Sequence, residues 1–413
     1  MKLSKKWADP DRNNYGWFNA GVASWYLAWG MQGVLFSWLI IGDLGLGADK
    51  LGLAQMLATV PALVLVLLGG AVADRLDRRR LIIVLHLVAA STVAALAIGV
   101  GQGMLSYRLM VVFALATGTV MAFVLPTRDA LLADVAGDNM MRAVAGMTIT
   151  QWTSMGLGNL VAGSARWIGS AKALAAEALL MLVGVAAYAM LSVRSESPVS
   201  SVPAEAGTDA GVVRALREIS EGVAEVLGYA QLRPVFVLEV AAGLLFMGPF
   251  LVLLPMLVRD VYNGDIGQLG GLMMAFPSGI IVGSIALLRR GGIRRKGLAL
   301  LVAVAAEALA LLAVGSGFAF WGLWAAVAAW GLAAAFTINV SRTVFQENAS
   351  PSHRARVLSV YSLGLLGTAP MGSLLAGFLA ARIGPQAACV ASSLGMLTVL
   401  GFAVLLTPLL RIR

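Results

Sequence analysis

Twelve apolar stretches of membrane-spanning length determine what this chain can fold into. A bilayer core of roughly 30 Å is crossed by about 20 apolar residues in a helix. Backbone groups in lipid must bond within their own segment, so we expect all twelve stretches to be α-helices. Their approximate boundaries are 17–42, 50–73, 81–101, 108–127, 143–166, 173–192, 234–258, 267–288, 297–316, 319–341, 357–380 and 386–409.

The composition argues against a soluble enzyme. Of the 413 residues, 59% are hydrophobic and only 12% are charged, whereas soluble domains carry about 25% charged residues. One cysteine, Cys389, rules out a disulfide framework, and the two histidines, His86 and His353, lie too far apart in sequence to suggest a metal centre. No phosphate-binding GxxxxGK[ST] loop occurs. We therefore expect no enzyme, no cofactor, no metal and no nucleic-acid partner.

The loop charges predict the orientation in the membrane. Of the 30 lysines and arginines, 24 fall in the tails and loops of one side and six on the other. The positive-inside rule then places both termini and the central loop in the cytoplasm. The first apolar run is too long for a signal-peptide core and has no small-residue cleavage site, so we interpret it as a retained span.

The spans divide into two groups of six. We predict an N-terminal half at 1–192, a cytoplasmic linker at 193–233 and a C-terminal half at 234–413. The linker begins with a Ser/Pro/Ala-rich stretch and continues with apolar residues at helical spacing, which predicts an amphipathic helix on the membrane surface. It is interpreted as a tether, with a regulatory docking site as the alternative.

The two halves resemble repeats at an offset of 214 residues. Parallel six-helix repeats are one architecture of secondary transporters, whose substrate site lies between the halves near the midplane. A transporter is therefore the leading class. The matched pairs are Arg128 with Arg342, Arg142 with Arg356, Gly158 with Gly372, Ala162 with Ala376, and Gly163 with Gly377.

The loop after the second span carries a recognisable motif, GAVADRLDRRR, at 70–80. A glycine, an aspartate four residues later and a basic cluster resemble the cytoplasmic loop motif of the major facilitator superfamily. Within that superfamily the loop is most similar to that of the bacterial siderophore and macrolide exporters. The resemblance implies the major facilitator fold, a monomer, and a gating role for Gly70, Asp74, Arg75 and Arg78.

The physical chemistry of this loop suits a latch. Gly70 permits close helix approach, and Asp74 at a helix end can pair with basic residues or with a neighbouring helix N-terminus. The alternative is that the arginines only anchor the topology. In the second half, Leu287 stands where the aspartate would fall, so we expect that latch to be weak or absent.

Span five resembles the glycine-rich motif of family exporters, although Asn159 replaces the usual proline and Ala162 a glycine. Close packing of the face at Gly158 and Ala162 against a neighbouring helix explains the same residues. The resemblance implies outward transport.

Three carboxylates fall inside spans, where an ionisable residue is a functional hypothesis by default. Glu239, in span seven, is the candidate for proton coupling, because a carboxylate away from water binds a proton more readily. The alternative is an ion pair with Arg233 or Arg342. Glu177 and Glu307 fall on helices that the family places at the periphery, so we do not expect them to couple.

An aromatic wall and a few polar groups make up the candidate substrate cavity. Such pockets are mostly apolar with a few polar groups, which suits a large amphipathic substrate; core packing is the alternative. None of these positions is an arginine or lysine, which disfavours strongly anionic substrates. The candidates are Trp25, Trp29, Gln32, Phe36, Gln151, Asn159, Asn339 and Tyr361.

Together these features predict a proton-coupled exporter of amphipathic small molecules, such as a drug or a siderophore. We expect it to work by alternating access in the bacterial inner membrane, with protons and lipid as its other partners. An uptake transporter or a lysophospholipid flippase on the same fold is the alternative.

Overall fold

The computed structural model describes residues 10–136, 140–192, 223–224, 226–290, 293–348 and 354–412. Within these ranges the chain is helical and has no β-strand, and eleven helices are long and apolar enough to cross a membrane. The twelfth predicted span, 143–166, is a helix of 23 residues that is not among those eleven. The predicted all-α membrane fold, with two six-helix halves, is confirmed.

The first half consists of six long helices and one short one. Side chains cap the N-termini of two of them. Asp77 accepts a hydrogen bond from the Arg80 backbone amide at 2.9 Å, and Ser106 accepts one from the Leu109 backbone amide at 3.3 Å. The helices are α1 Pro10–Trp38, α2 Ala48–Arg75, α3 Arg78–Gly101, α4 Tyr107–Val135, α5 Met140–Ala162, α6 Ala165–Ile168 and α7 Ser170–Ala189.

The second half repeats this pattern after the linker, of which residues 193–222 and 225 lie outside the described residues. The seventh span of the chain, Leu232–Asp260, opens this half and consists of two α-helices with a π-helical turn between them. The helices are α8 Leu232–Leu245, α9 Leu254–Asp260, α10 Ile266–Arg290, α11 Lys296–Gly315, α12 Phe320–Asn348, α13 Arg354–Ile383 and α14 Pro385–Leu406.

The first spanning helix of each half contains a π-helical turn. One follows α1 at Leu39–Asp43, and the other follows α8 at Pro249–Leu253. Such turns interrupt the regular hydrogen-bond ladder and frequently occur at functional sites. The two halves therefore share a local irregularity as well as a helix count.

Glycines of the repeat lie at close helix crossings. A Cβ built on Gly158 would lie 2.0 Å from the carbonyl oxygen of Leu27, and one built on Gly372 would lie 2.4 Å from that of Gly243. Each glycine thus allows the fifth span of its half to approach the first span of that half. The close packing expected at Gly158 is confirmed.

Several helices extend beyond the predicted spans. α4 continues to Val135, although span four was expected to end at 127, and α12 continues to Asn348 rather than 341. Hydropathy falls where the chain leaves the apolar layer, but the helix hydrogen bonds continue beyond that point. Arg128 and Arg342 therefore lie within helices and not in loops.

The contacts divide the chain into two compact units that do not coincide with the two sequence halves. The first unit contains the chain up to Phe36 and from Ala58 to the linker. The second contains Ser37–Leu57 together with the chain from the linker onwards. The end of the first span and the start of the second therefore pack within the second unit. The division at 1–192, 193–233 and 234–413 stays a prediction about sequence repeats.

Candidate functional site

A narrow cavity lies inside the first unit. Trp25, Trp29 and Gln32, which follow one face of α1, line it together with residues of α3, α4 and α7. Its wall is mostly apolar, and its volume is about 10 Å³, room for a single water. Three of the four cavity candidates on α1 thus share this space. The other lining residues are Ala89, Val93, Thr117, Val120 and Met181.

The aromatic residues of α1 also have packing roles. Phe36 stacks on Phe113 of α4, with ring centroids 6.1 Å apart, and it does not line the cavity. Trp25 packs against His86 at 4.9 Å, and its indole nitrogen has no hydrogen-bond partner within the described ranges. Trp25 therefore both packs in the core and lines the cavity.

The remaining cavity candidates lie in different surroundings. Asn159 is buried and Gln151 half-buried on α5. In the second unit, Asn339 donates to the Ala335 carbonyl of its own helix at 2.7 Å. The Tyr361 hydroxyl lies 3.4 Å from the Ile338 carbonyl. The structure does not place these four residues in the cavity of α1, so their substrate role stays a prediction.

Glu239 lies in the interior of the second unit. It is 2% exposed, and its carboxyl lies near the hydroxyl of Ser341 on α12. Its Oε1 atom has no partner in the described part of the chain. Arg233, considered above as an ion-pair partner, donates instead to the Leu227 carbonyl at 2.7 Å. The neighbour of the buried carboxyl is thus a serine, and Arg233 bonds elsewhere.

Glu307 faces a neighbouring helix. It is 4% exposed on α11, where its Oε1 accepts a hydrogen bond from the Thr337 hydroxyl. The Trp330 indole also lies near this carboxyl, and Glu239 is close enough to affect its charge. Neither Ser341 nor Trp330 was predicted to lie beside these carboxyls, although the four-residue spacing of Thr337 and Ser341 indicates one polar helix face.

Glu177 is the third intramembrane carboxyl. It is 0% exposed on α7, and neither carboxyl oxygen has a hydrogen-bond partner among the described residues. It therefore faces the interior of the first unit. A charge buried without a partner is costly.

The loop motif between α2 and α3 is exposed to solvent in its middle, and its last part forms an ion pair with α4. Asp74 and Arg75 are exposed at the end of α2, whereas Arg78 forms an ion pair with Asp134 of α4 at 2.7 Å. A Cβ on Gly70 would meet nothing within 4 Å. The neighbouring Gly69 is the residue at the close crossing, since its Cβ would lie 2.1 Å from the Ala122 carbonyl oxygen.

The second half has an ion pair at the corresponding place. Lys296 begins α11 and pairs with Glu347 near the end of α12 at 2.5 Å. In each half, therefore, a base at the start of the third span contacts an acid at the end of the fourth. Leu287 stands at the position that corresponds to Asp74, so the Lys296–Glu347 pair does not test the weak second latch expected there.

Arg128, just beyond the predicted end of the fourth span, is a buried charge within α4. It is 8% exposed and donates to the Tyr26 hydroxyl on α1 and, from Nε, to Asp129 at 2.9 Å. An arginine is thus embedded in the first unit, although it does not line the cavity of α1. Its charge is already paired with Asp129.

No cluster of three or more His, Cys, Asp or Glu side chains that could hold a metal ion occurs among the residues described.

Comparison with known proteins identifies the family. Residues 19–365 match the family model described as Major Facilitator Superfamily. The chain is 26% identical over 401 residues to "Multidrug efflux pump Tap" of Mycolicibacterium fortuitum, which covers 92% of each protein. It is 27% identical over 176 residues to "Macrolide efflux protein A" of Streptococcus pyogenes, covering 41% of this chain and 42% of that one. The solved structure of the nucleoside transporter NupG matches the fold with a TM-score of 0.74 at 14% identity, covering 96% of this chain and 98% of that one.

Proposed function

Because the chain belongs to the Major Facilitator Superfamily, we propose that it is a proton-coupled exporter of amphipathic small molecules, working as a monomer by alternating access. Family membership makes it a small-molecule transporter and not an enzyme. With its bacterial relatives and its many apolar helices, it is a multi-pass protein of the bacterial inner membrane.

The outward direction of transport is supported by the relatives. The multidrug efflux pump matches this chain over nearly its whole length, and the macrolide efflux protein matches over two-fifths of it. The substrate class is supported by the residues of α1, where two tryptophans and one glutamine combine apolar surface with a single amide. The cavity beside them is only about 10 Å³, so it must widen in another state to admit a substrate. Arg128 is paired with Asp129, so its charge is not free to attract an anion.

The observation that carries proton coupling is the buried carboxyl of Glu239. A charge in the bilayer interior is costly and marks ion or proton pathways in transporters. The neutral Ser341 lies near the Glu239 carboxyl, and no described cation forms an ion pair with Glu239. Binding a proton removes the uncompensated charge, and releasing it restores the charge. This difference can couple a proton to a conformational change.

Transport in inside-out vesicles tests the proposal. The vesicles are energised with a proton gradient and offered ethidium as a lipophilic cation, erythromycin as a macrolide, and a catecholate siderophore. We expect at least one probe to accumulate, an uncoupler to abolish the accumulation, and Glu239→Gln to lose it while still binding the probe.

The matched control is Asp265→Asn, an exposed carboxyl in the loop before α10 that hydrogen-bonds to the Gln268 amide. This variant removes an acid of the same charge outside the spans and should transport like the wild type. Accumulation that resists the uncoupler would overturn proton coupling. If no probe is exported but one is taken up by intact cells, the direction of transport is wrong.

A further inference from the structure

The second unit contains two buried carboxyls beside the same face of α12. Thr337 and Ser341 are four residues apart on α12, so both hydroxyls lie on the same face of that helix. Thr337 donates to Glu307 of α11. Glu239 of α8 lies near Ser341 and packs against α13 at Gly364. One turn earlier on α13, the Tyr361 hydroxyl lies 3.4 Å from the Ile338 carbonyl, between Thr337 and Ser341 on α12. Two acids from two different helices therefore lie beside adjacent turns of a third.

The surroundings of this pair contain no bonded cation among the described residues. Tyr361 of α13 lies near Glu239, and Arg342 of α12 lies near Tyr361 but is itself exposed. The Trp330 indole of α12 lies near Glu307. On α14, the Ser393 hydroxyl donates to the Ala308 carbonyl at 2.6 Å. The buried thiol of that helix, Cys389, packs against Gly315, two turns from Glu307.

The two carboxyls interact electrostatically, so the charge on one affects the charge on the other. Two neighbouring buried carboxylates without a cation cannot both ionise cheaply. Groups coupled in this way gain and lose protons as a pair and not as independent sites.

We propose that Glu307 is the second member of a two-carboxyl proton site with Glu239, joined through Thr337 and Ser341. The site retains one proton on the pair, and the second proton is bound and released. Each binding step converts one carboxylate to a carboxyl, and each release step returns that proton to water. The inference deepens the proposed function and rests on it for its role in transport, but the proton site itself can be tested without a substrate.

Infrared difference spectroscopy of the purified protein in nanodiscs, titrated with acid, measures the carboxyl bands directly. Glu239→Gln and Glu307→Gln identify the band of each residue. We expect Glu307→Gln to move the titration midpoint of the remaining Glu239 band by about one pH unit, because coupled sites perturb each other by that amount or more. Thr337→Val should move the Glu307 midpoint in the same experiment, and Ser341→Ala the Glu239 midpoint.

The matched control is Glu177→Gln, an equally buried carboxyl in the other unit. It should lose its own band and leave the Glu239 midpoint unchanged. A Glu239 midpoint that is the same in Glu307→Gln and wild type would overturn the pair, and so would an equal movement in Glu177→Gln. If Glu307→Gln does not fold, the two hydroxyl variants decide the question.

Vesicle transport separates this inference from the proposed function. If wild-type export collapses with the uncoupler and Glu239→Gln is inactive, but Glu307→Gln keeps the wild-type pH profile, the proton-coupled exporter stands and the pair fails. If the infrared coupling is present but wild-type transport ignores the uncoupler, the pair stands as a proton site and the proposed function fails.

Discussion

The Nη1 atom of Arg259 lies 2.7 Å from the carbonyl oxygen of Ile41, inside the π-helical turn that ends the first span. The same nitrogen donates to the Leu46 carbonyl at 2.7 Å. Arg259 also pairs with Asp260 beside it. One guanidinium thus satisfies two carbonyls of the connection between α1 and α2, within the second unit.

Arg259→Ala should loosen this connection. Hydrogen bonds to a charged donor contribute about 1.5–3 kcal/mol each, so we expect faster amide hydrogen exchange in residues 39–47. Exchange mass spectrometry in nanodiscs measures it. Arg166→Ala is the control, because Arg166 packs over the neighbouring Trp167 ring; unchanged exchange in Arg259→Ala would contradict the role assigned here.

Tyr26→Phe should destabilise the first unit. The substitution removes the hydroxyl that accepts from the buried Arg128 guanidinium, and leaving a buried donor unsatisfied costs about 1–3 kcal/mol. The apparent unfolding temperature in detergent should fall. Tyr229→Phe, at an exposed tyrosine, should leave it unchanged. Equal melting of Tyr26→Phe and wild type would show that Arg128 finds another acceptor.

Asp74→Asn should slow the transport cycle without abolishing substrate binding. The carboxylate is exposed at the end of α2, so its loss removes a charge available for gating and leaves the helix core intact. Transport rate and probe affinity are measured separately in vesicles and in detergent. Asp77→Asn is the control, since Asp77 caps α3. Loss of binding together with transport would refute the gating role.

The Arg78–Asp134 pair should show measurable coupling in a double-mutant cycle. Both side chains are mostly shielded from water, so we expect a coupling energy of about 0.5–1 kcal/mol, at the upper end for surface pairs. Thermal unfolding of Arg78→Ala, Asp134→Ala and the double variant measures it. The Lys296–Glu347 pair has a more exposed acid and should couple less strongly; the reverse order would contradict this reasoning.

The spans could be predicted from sequence because a lipid environment imposes a simple length and polarity requirement on each helix. Helix ends could not, since α4 carries Arg128 beyond the apolar layer while keeping its backbone bonds. Close crossings at Gly158 followed from small-residue spacing. The close crossing in α2 lies at Gly69 and not at Gly70. Which of the two glycines faces the neighbouring helix depends on how α2 is rotated about its axis, and the motif does not determine that rotation.

The sequence indicated individual residues of the candidate site but not which of them lie next to each other. Glu239 stands out as an acid in an apolar run, and Trp25, Trp29 and Gln32 share one helical face. The pairing of Glu239 with Glu307 depends on how α8, α11 and α12 pack, and such contacts join residues far apart in sequence. Family placement of the ninth span at the periphery pointed away from Glu307.

The single cysteine has a practical consequence. Cys389 is fully buried, and the sequence contains no other. A membrane-impermeant maleimide should therefore leave the unmodified protein unlabelled, so each cysteine introduced into a loop becomes a chemically unique reporter. The sidedness inferred from the loop arginines can then be mapped one loop at a time in intact cells, with the native chain as its own blank.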